Sequence, residues 1–422
     1  GRDGIITAML MLWVDESIAA GVLRTLAATQ ATGFDPKSDA QPGKILHETR
    51  HGEMANLGEV PFRQYYGTVD ATPLFLMLAG MYFERTGDRD LISEIWPNIE
   101  AALHWIDNFG DRDGDGFVEY FRETDSGLAN QGWKDSHDAI FHVDGSNAEG
   151  PIALCEVQGY VYAAKRAIAA LAVRLGHRDL AAKLADQAER LRDQFERAFW
   201  CPEIGTYALA LDGQKRPCRV RASNAGHALF TGIADPQRAR RTADTLMNPE
   251  SFSGWGIRTV PSGEARYNPM SYHNGSIWPH DNALIALGFA RYGFKAEAAR
   301  VFEGLFGAAT HQEARRLPEL FCGFIRRPHR GPTAYPVACS PQAWAAATTF
   351  GLLAACLGLD LAHDRNQIRF RSPVAPDFLD EVVIRNLRLG TSRMDVRLHR
   401  YGGDVTANVL SRDGTAGLAL IK

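Results

Sequence analysis

Apolar residues recur at helical spacing in six stretches of this chain, and a longer polar connection precedes each of the later ones. The stretches run roughly over residues 4–14, 69–85, 151–175, 224–232, 277–291 and 341–357. Five of them lead through a short turn into a second, more amphipathic segment, over 16–31, 89–109, 179–199, 236–246 and 295–310. Turns as short as Thr86-Gly87-Asp88 or Gly176-His177 make the two helices of a pair antiparallel neighbours. TPLFLMLAGMYF and CEVQGYVYAAKRAIAALAV are apolar on most faces, as a helix buried on several sides must be. AAKLADQAERLRDQFERAFW instead carries charge along one face. The pattern predicts a mainly α fold, an (α/α)6 barrel with an apolar inner ring and amphipathic outer helices. Only five outer segments are visible, so the sixth is expected before Gly1, and its absence would expose an apolar strip.

From about Ile368 the period changes to two. IRFRS, EVVIRNLRLG, SRMDVRLHR and DVTANVL alternate as short strands do. The expected division is therefore a helical barrel over 1–362 and a small β appendage over 363–422, without chemistry of its own and ending soon after a further apolar run.

With 422 residues and 45% hydrophobic positions, the chain can bury a large core. A net charge of −4 without a basic run argues against nucleic acid or an acidic membrane as partner, and no apolar run reaches the ~18–20 residues a bilayer requires. Cys155, Cys201, Cys218, Cys322, Cys339 and Cys356 are scattered, without a CxxC pair, which points to reduced thiols and a cytoplasmic setting.

Residues able to do chemistry gather in the connections: HETRHGEM with YYGTVD, NQGWKDSHD, RVRASNAGH, YNPMSYHNGSIWPHDN, and RLPELFCGF with YPVACSPQAW. Asp135 precedes the third inner helix and Glu319 the sixth. Positions three and six of a six-fold ring are opposite, so two carboxylates would face each other across its mouth. Cleavage of a glycosidic bond needs such a pair, one group as acid and one as base or nucleophile, and a wide gap of roughly 6.5–9.5 Å favours inversion. The competing reading makes each a loop carboxylate capping a helix. Trp133, Trp255, Tyr267, Tyr272, Trp278, Tyr65 and Tyr66 supply aromatic faces suited to sugar rings, or fill gaps between loops. Glu156 and Gln158, on an otherwise apolar inner helix, face either the pocket or a buried network. Glu48 and Glu53 are reserve carboxylates.

The motifs GRDG, HGEMANLGEVPF, YYGTVDATPLF, GLANQGWKDS, EVQGYVYAA, SYHNGSIWPHDNALIA and RLPELFCGF together resemble the catalytic domain of the bacterial amylo-α-1,6-glucosidase (glycogen debranching enzyme-like) family, among the inverting (α/α)6 glycosidases that include glucoamylase. The resemblance covers residues 1 to about 360. It implies Asp135 as general acid, Glu319 as general base, and Arg2 and Asp3 as grips on hydroxyls of the first sugar. It also implies an N-terminal β domain of the same protein as a missing partner. The substrate expected is an oligosaccharide or glucan, with Trp133, Lys134, Tyr66, Glu156, Gln158, His273, Asn274, Trp278, His280 and Asp281 around it.

No phosphate-cradling glycine loop or metal-binding His spacing is present, including among His47, His51, His273 and His280, so no cofactor is expected. Asp111, Asp113 and Asp115 resemble the start of a calcium loop, which Glu119 or Glu123 would have to complete, because Arg122 occupies the twelfth position. Otherwise they form an Asp/Gly turn. Two rival functions remain: a sugar isomerase or epimerase using His273 and His280, and a glucan-binding module that does not cleave.

Overall fold

The computed structural model describes residues 1–124 and 127–422. Its helices are α1 (Arg2–Met11), α2 (Glu16–Ala28), the single turn α3 (Glu53–Asn56), α4 (Ala71–Thr86), α5 (Arg89–Trp105), α6 (Cys155–Leu175), α7 (Arg178–Ala198), α8 (Asn224–Thr231), α9 (Pro236–Met247), α10 (Pro279–Arg291), α11 (Lys295–Ala309) and α12 (Ala343–Leu357). α1 packs on α4, α4 on α6, α6 on α8, α8 on α10 and α10 on α12, and α12 returns to α1. These six are the apolar segments, joined in a closed cycle. α2, α5, α7, α9 and α11 flank them; α7 buries only Ala181, Leu184, Ala188, Leu191 and Phe195 along one stripe.

Local chemistry sets the helix ends. Asp88 accepts from the Asp90 and Leu91 amides at 3.1 Å to start α5, and Asp235 does the same for α9 ahead of Pro236. Gly87 closes α4 at φ 68°, a conformation that favours glycine. Small residues let inner helices approach closely. A Cβ on Gly80 of α4 would lie 2.6 Å from the Ala167 side chain of α6, and one on Gly288 of α10 would lie 2.6 Å from the backbone of Phe230 on α8.

Along the seam between α12 and α1, Phe350 and Val14 keep 37% and 42% of their surface exposed, although α12 is apolar on all sides. No flanking helix covers this seam among the described residues.

Two-residue strands β1 (Ala153–Leu154), β2 (Trp200–Cys201), β3 (Thr206–Tyr207) and β4 (Ala210–Leu211) pair as β1–β4 and β2–β3 between helices. The C-terminal strands are β5 (Leu359–Ala362), β6 (Gln367–Arg371), β7 (Glu381–Leu389), β8 (Ser392–Tyr401), β9 (Asp404–Asp413) and β10 (Gly417–Ile421). β7–β8–β9 form an antiparallel meander, while β6 pairs antiparallel with β5 and parallel with β10. The sheet thus begins at Leu359, before the expected boundary at 362/363. Ile368, Phe370, Val396 and their neighbours form a second core, against which Trp13 and Leu353 pack.

Candidate active site

The connections that precede α4, α6, α10 and α12 meet around the N-terminus of α1. Arg2, buried in the first turn of α1, donates from one guanidinium nitrogen to Asp70 at 2.7 Å and from the other to Asp135 at 3.2 Å. Its second nitrogen also lies 3.4 Å from His47 Nδ1. Asp70 additionally accepts from the Thr68 hydroxyl at 2.5 Å. Arg2, Thr68 and Asp70 are buried, whereas Asp135 reaches the open with 32% of its side chain exposed. Burial pushes its carboxyl up to about 6, helped by the nearby charges of Asp70 and Asp3 and opposed by Arg2. A carboxyl in that range is protonated in about a tenth of molecules at pH 7, far more than an ordinary aspartate.

Glu319 is held from a different side. Tyr272 O–H donates to Oε1 at 2.7 Å and the Cys339 amide donates to Oε2 at 2.9 Å, so both oxygens have a fixed donor. Tyr272 also feels the charge of Asp135, and Asp3 that of Glu319, which places the two carboxylates in one electrostatic neighbourhood on separate anchorages. Burial raises the Asp3 carboxyl, and Gln342 donates to it at 3.4 Å.

A cluster of aromatic rings adjoins both, with Tyr272 bonded to Glu319 and His273 to the residue after Asp135. His273 stacks on Trp278 at 5.0 Å, Tyr272 meets both rings at 4.5 and 4.9 Å, and Trp133 meets Trp278 edge-on at 5.7 Å. Trp278 Nε1 donates to the Tyr272 carbonyl at 2.9 Å. His273 Nδ1 sits 2.7 Å from the Ser136 hydroxyl, next in sequence to Asp135, and burial holds the ring neutral. Asn274 Nδ2 donates to the Asp138 carbonyl. Lys134 passes beside Trp133 to the Thr259 carbonyl at 2.8 Å, and burial lowers its ammonium to about 8.

Beneath these rings lies a polar floor. His227 takes Tyr160 O–H on Nδ1 at 2.5 Å and faces Asp281 Oδ1 through Nε2 at 2.7 Å. His280 stacks on Trp344 at 3.6 Å with both ring nitrogens unpartnered. Trp133 Nε1, Glu156 Oε2, Asn224, Asn274 Oδ1 and Asp281 Oδ2 are likewise buried with unpartnered polar atoms. So many open donors and acceptors at one end of an apolar ring suit a hydroxyl-rich ligand, which would satisfy them.

Several expected residues lie elsewhere. Gln158 is saturated by backbone: it accepts from Val118 N–H and donates to Val118 and Leu154 carbonyls, tying α6 to the preceding loop. Tyr66 O–H donates to the Thr29 carbonyl and Tyr65 O–H to Asp39. Trp255 is buried beside His311 and Arg326 rather than near Trp133. Glu48 pairs with Arg50, and Glu53 is exposed on α3. Sequence reasoning misses the roles of Asp70, of Tyr272 as a partner of Glu319, of His227 and of Trp344. Asp70 lies in the YYGTVD motif, where its position at the start of α4 makes it look like a cap.

At the acidic loop, the carboxylate oxygens of Asp111, Asp113 and Asp115 converge within 4.8 Å. Lys215 already supplies the cation: it pairs with Asp113 at 3.0 Å, Asp115 at 2.8 Å, and Glu119. Glu123 is taken by Arg112. A calcium ion would have to displace an ammonium group, so this donor set does not fit one well. Lys215→Met leaves the buried Glu119 without its cation and should lower stability by about 3 kcal/mol, read from denaturant midpoints. Millimolar Ca²⁺ should leave the wild-type melting temperature unchanged; a rise would show that the ion competes for the loop.

The closed cycle of apolar helices thus gathers Asp135, Glu319 and a cluster of aromatic rings in its connections, and the family comparison makes the domain a glycoside hydrolase domain. The chain belongs to the mannosylglycerate hydrolase MGH1-like glycoside hydrolase domain family, whose model matches residues 3–324. That family, rather than the debranching one, is what the comparisons support. Solved structures share the fold. A GH63 mannosylglycerate hydrolase from Thermus thermophilus in complex with glucose is 19% identical at TM-score 0.60, covering 83% of this chain and 91% of that one. A GH78 family rhamnosidase of Bacillus sp. GL1 is 15% identical at TM-score 0.68, covering 99% of this chain. A sialidase is 14% identical at TM-score 0.61, covering 81% of this chain. This chain spans 31% of the sialidase and 38% of the rhamnosidase. No curated protein matches by sequence. No helix among the described residues is long and apolar enough to cross a membrane.

Proposed function

We propose that this chain hydrolyses a terminal α-glucosidic bond with inversion, Asp135 protonating the departing oxygen and Glu319 deprotonating the attacking water. The observation that carries the reading is the unequal housing of the two carboxylates. Asp135 is partly exposed and pushed up to about 6, while Glu319 is gripped at both oxygens from another wall. The helix cycle supports it, because the connections before α6 and α12 are opposite if the cycle is read as the inner ring of an (α/α)6 barrel. Inversion needs that opposition, with room for a water between the sugar and the base.

Trp133, Trp278, His273 and the polar floor would hold the sugar, a size in keeping with the glucose bound by the Thermus relative. Arg2, paired with Asp70 and Asp135, would act through those carboxylates rather than on sugar hydroxyls. An α-1,6 linkage in a branched glucan is the finer expectation, and mannosylglycerate, the substrate in the family's name, is the second reading. The neutral, buried state of His273 and His280 disfavours carbon-acid proton transfer by a His pair. The free cysteines suit a reducing compartment such as the cytoplasm.

Proton NMR of the first sugar released from a panel of α-glucosides and mannosylglycerate tests substrate and stereochemistry together. The expected product is the β-anomer of glucose from an α-glucoside. Release of the α-anomer would end the inverting assignment, and cleavage of mannosylglycerate alone would transfer the chemistry to the second reading.

A further inference from the structure

The segment that carries Glu319 does more than present a carboxylate. The Glu319 amide donates to the Cys339 carbonyl at 3.0 Å and the Cys339 amide donates back to the Glu319 side chain, so residues 320–338 leave the base and return to it. Near its start the excursion is fixed by Phe321, which bridges Ile277 and Ala334, and by the buried Arg258, whose guanidinium donates to the Gly323 carbonyl at 2.6 Å. Beyond Gly323 it is exposed, and its sequence reads FIRRPHR.

Two adjoining hollows, of about 510 and 540 Å³, open at this tip. Their walls include Arg300, Arg326, Arg327, Arg330, His311 and His329, and among the described residues no Asp or Glu lines either one. Arg326 lies over the Trp255 ring at 4.4 Å and Arg300 over Phe252 at 4.7 Å. Among the described residues none of the four arginines has a carboxylate at ion-pair distance. Phe324 and Ile325 add apolar wall, at 36% and 60% exposure. On a chain of net charge −4 this is a local reversal of sign. Unpaired guanidinium groups gathered around concave, partly apolar surface make a receptor for anionic groups carried on a body with C–H faces.

We propose that these hollows, on the excursion anchored at Glu319, form an accessory site for an acidic saccharide, one bearing carboxylate or sulfate groups. That it is accessory rests on the reading of Glu319 as the catalytic base. Arg327 is eight residues beyond Glu319, so the patch and the base belong to one excursion of the chain. The confined size of the patch and the net charge of −4 on the whole chain favour a short acidic glycan over a nucleic acid or a membrane.

Calorimetric titration of the full chain with tetragalacturonate, a heparin-derived tetrasaccharide and neutral maltotetraose tests this. At least one acidic tetrasaccharide should bind about tenfold or more tighter than maltotetraose at low ionic strength, and the difference should shrink as salt is added. The two acidic arms tell carboxylate from sulfate. R327E/R330E should abolish the preference while its melting temperature stays at the wild-type value, since both side chains are exposed, and E319Q should keep the preference. Equal binding of acidic and neutral sugars, indifference to R327E/R330E, or tighter binding of poly(A) or anionic vesicles than of either acidic sugar would overturn the proposal. Acidic preference in a wild type that releases no sugar from any glycoside would instead sink the hydrolase reading and leave the saccharide site standing.

Discussion

Asp135→Asn should lower kcat on alkyl and oligosaccharide glucosides by about 10²–10⁴-fold while sparing glycosyl fluorides, whose leaving group departs without a proton. The amide keeps the shape of the carboxyl and can still meet Arg2, so the pocket should survive. What disappears is the proton. In the wild type that proton is present below the Asp135 value of about 6 and lost above it, so activity should fall as pH rises through that region. The sign follows from the role: an acid is competent only while protonated, and burial moves the loss of its proton upward from the ordinary aspartate range. D135N should lack this descending limb on the fluoride substrate. Steady-state profiles of both proteins on both substrates decide the matter. Equal slowing of fluoride and alkyl glucosides would show that Asp135 binds sugar rather than donating to the leaving oxygen. An unaltered limb in D135N would assign the titration to another group.

The parts of this site that can be read from sequence share one property: they depend on order along the chain. The helix pairs are legible because apolar periodicity and Gly or Asp at the turns are local signals, and α4 through α11 begin and end within a few residues of where those signals fall. Asp135 and Glu319 stand out because each sits in a connection before an inner helix, and counting helices around a ring needs no coordinates.

What escapes the sequence needs contacts between distant segments. Asp70 hides because an acid at a helix start reads as a cap; in the structure its side chain makes no cap bond and goes to Arg2 and Thr68. Gln158 looks functional because a lone amide on an apolar helix is costly unless paired, yet its partners are backbone, among them Val118, forty residues away. Lys215, which neutralises the acidic loop, is ninety-six residues from Glu119 and gives no local hint of that role. The parallel pairing of β10 with β6 is hidden for the same reason, since alternation along a strand says nothing of its neighbour.

Arg2→Leu should be the most destabilising single change at the pocket, and it carries a second signature that a merely structural loss would not give. The guanidinium and Asp70 are both almost wholly buried, at 3% and 1% side-chain exposure. Removing the cation leaves an uncompensated carboxylate in the interior, at a cost of about 3–5 kcal/mol, whereas replacing both members by well-packed apolar partners would cost far less. Arg2→Leu/Asp70→Leu should therefore recover much of the stability in a denaturant melt, as expected for a pair whose members are costly alone. The second signature is in the pH profile. Arg2 is the charge that holds the Asp135 carboxyl down against burial, so any folded variant without it should keep its acid protonated to higher pH, and the descending limb of activity should move upward from about 6. Arg2→Lys should fall between, because a point ammonium cannot span Asp70 and Asp135 as the planar fork does. A stable Arg2→Leu with an unmoved limb would mean that the acid is tuned by something other than the ion that the first turn of α1 places beside it.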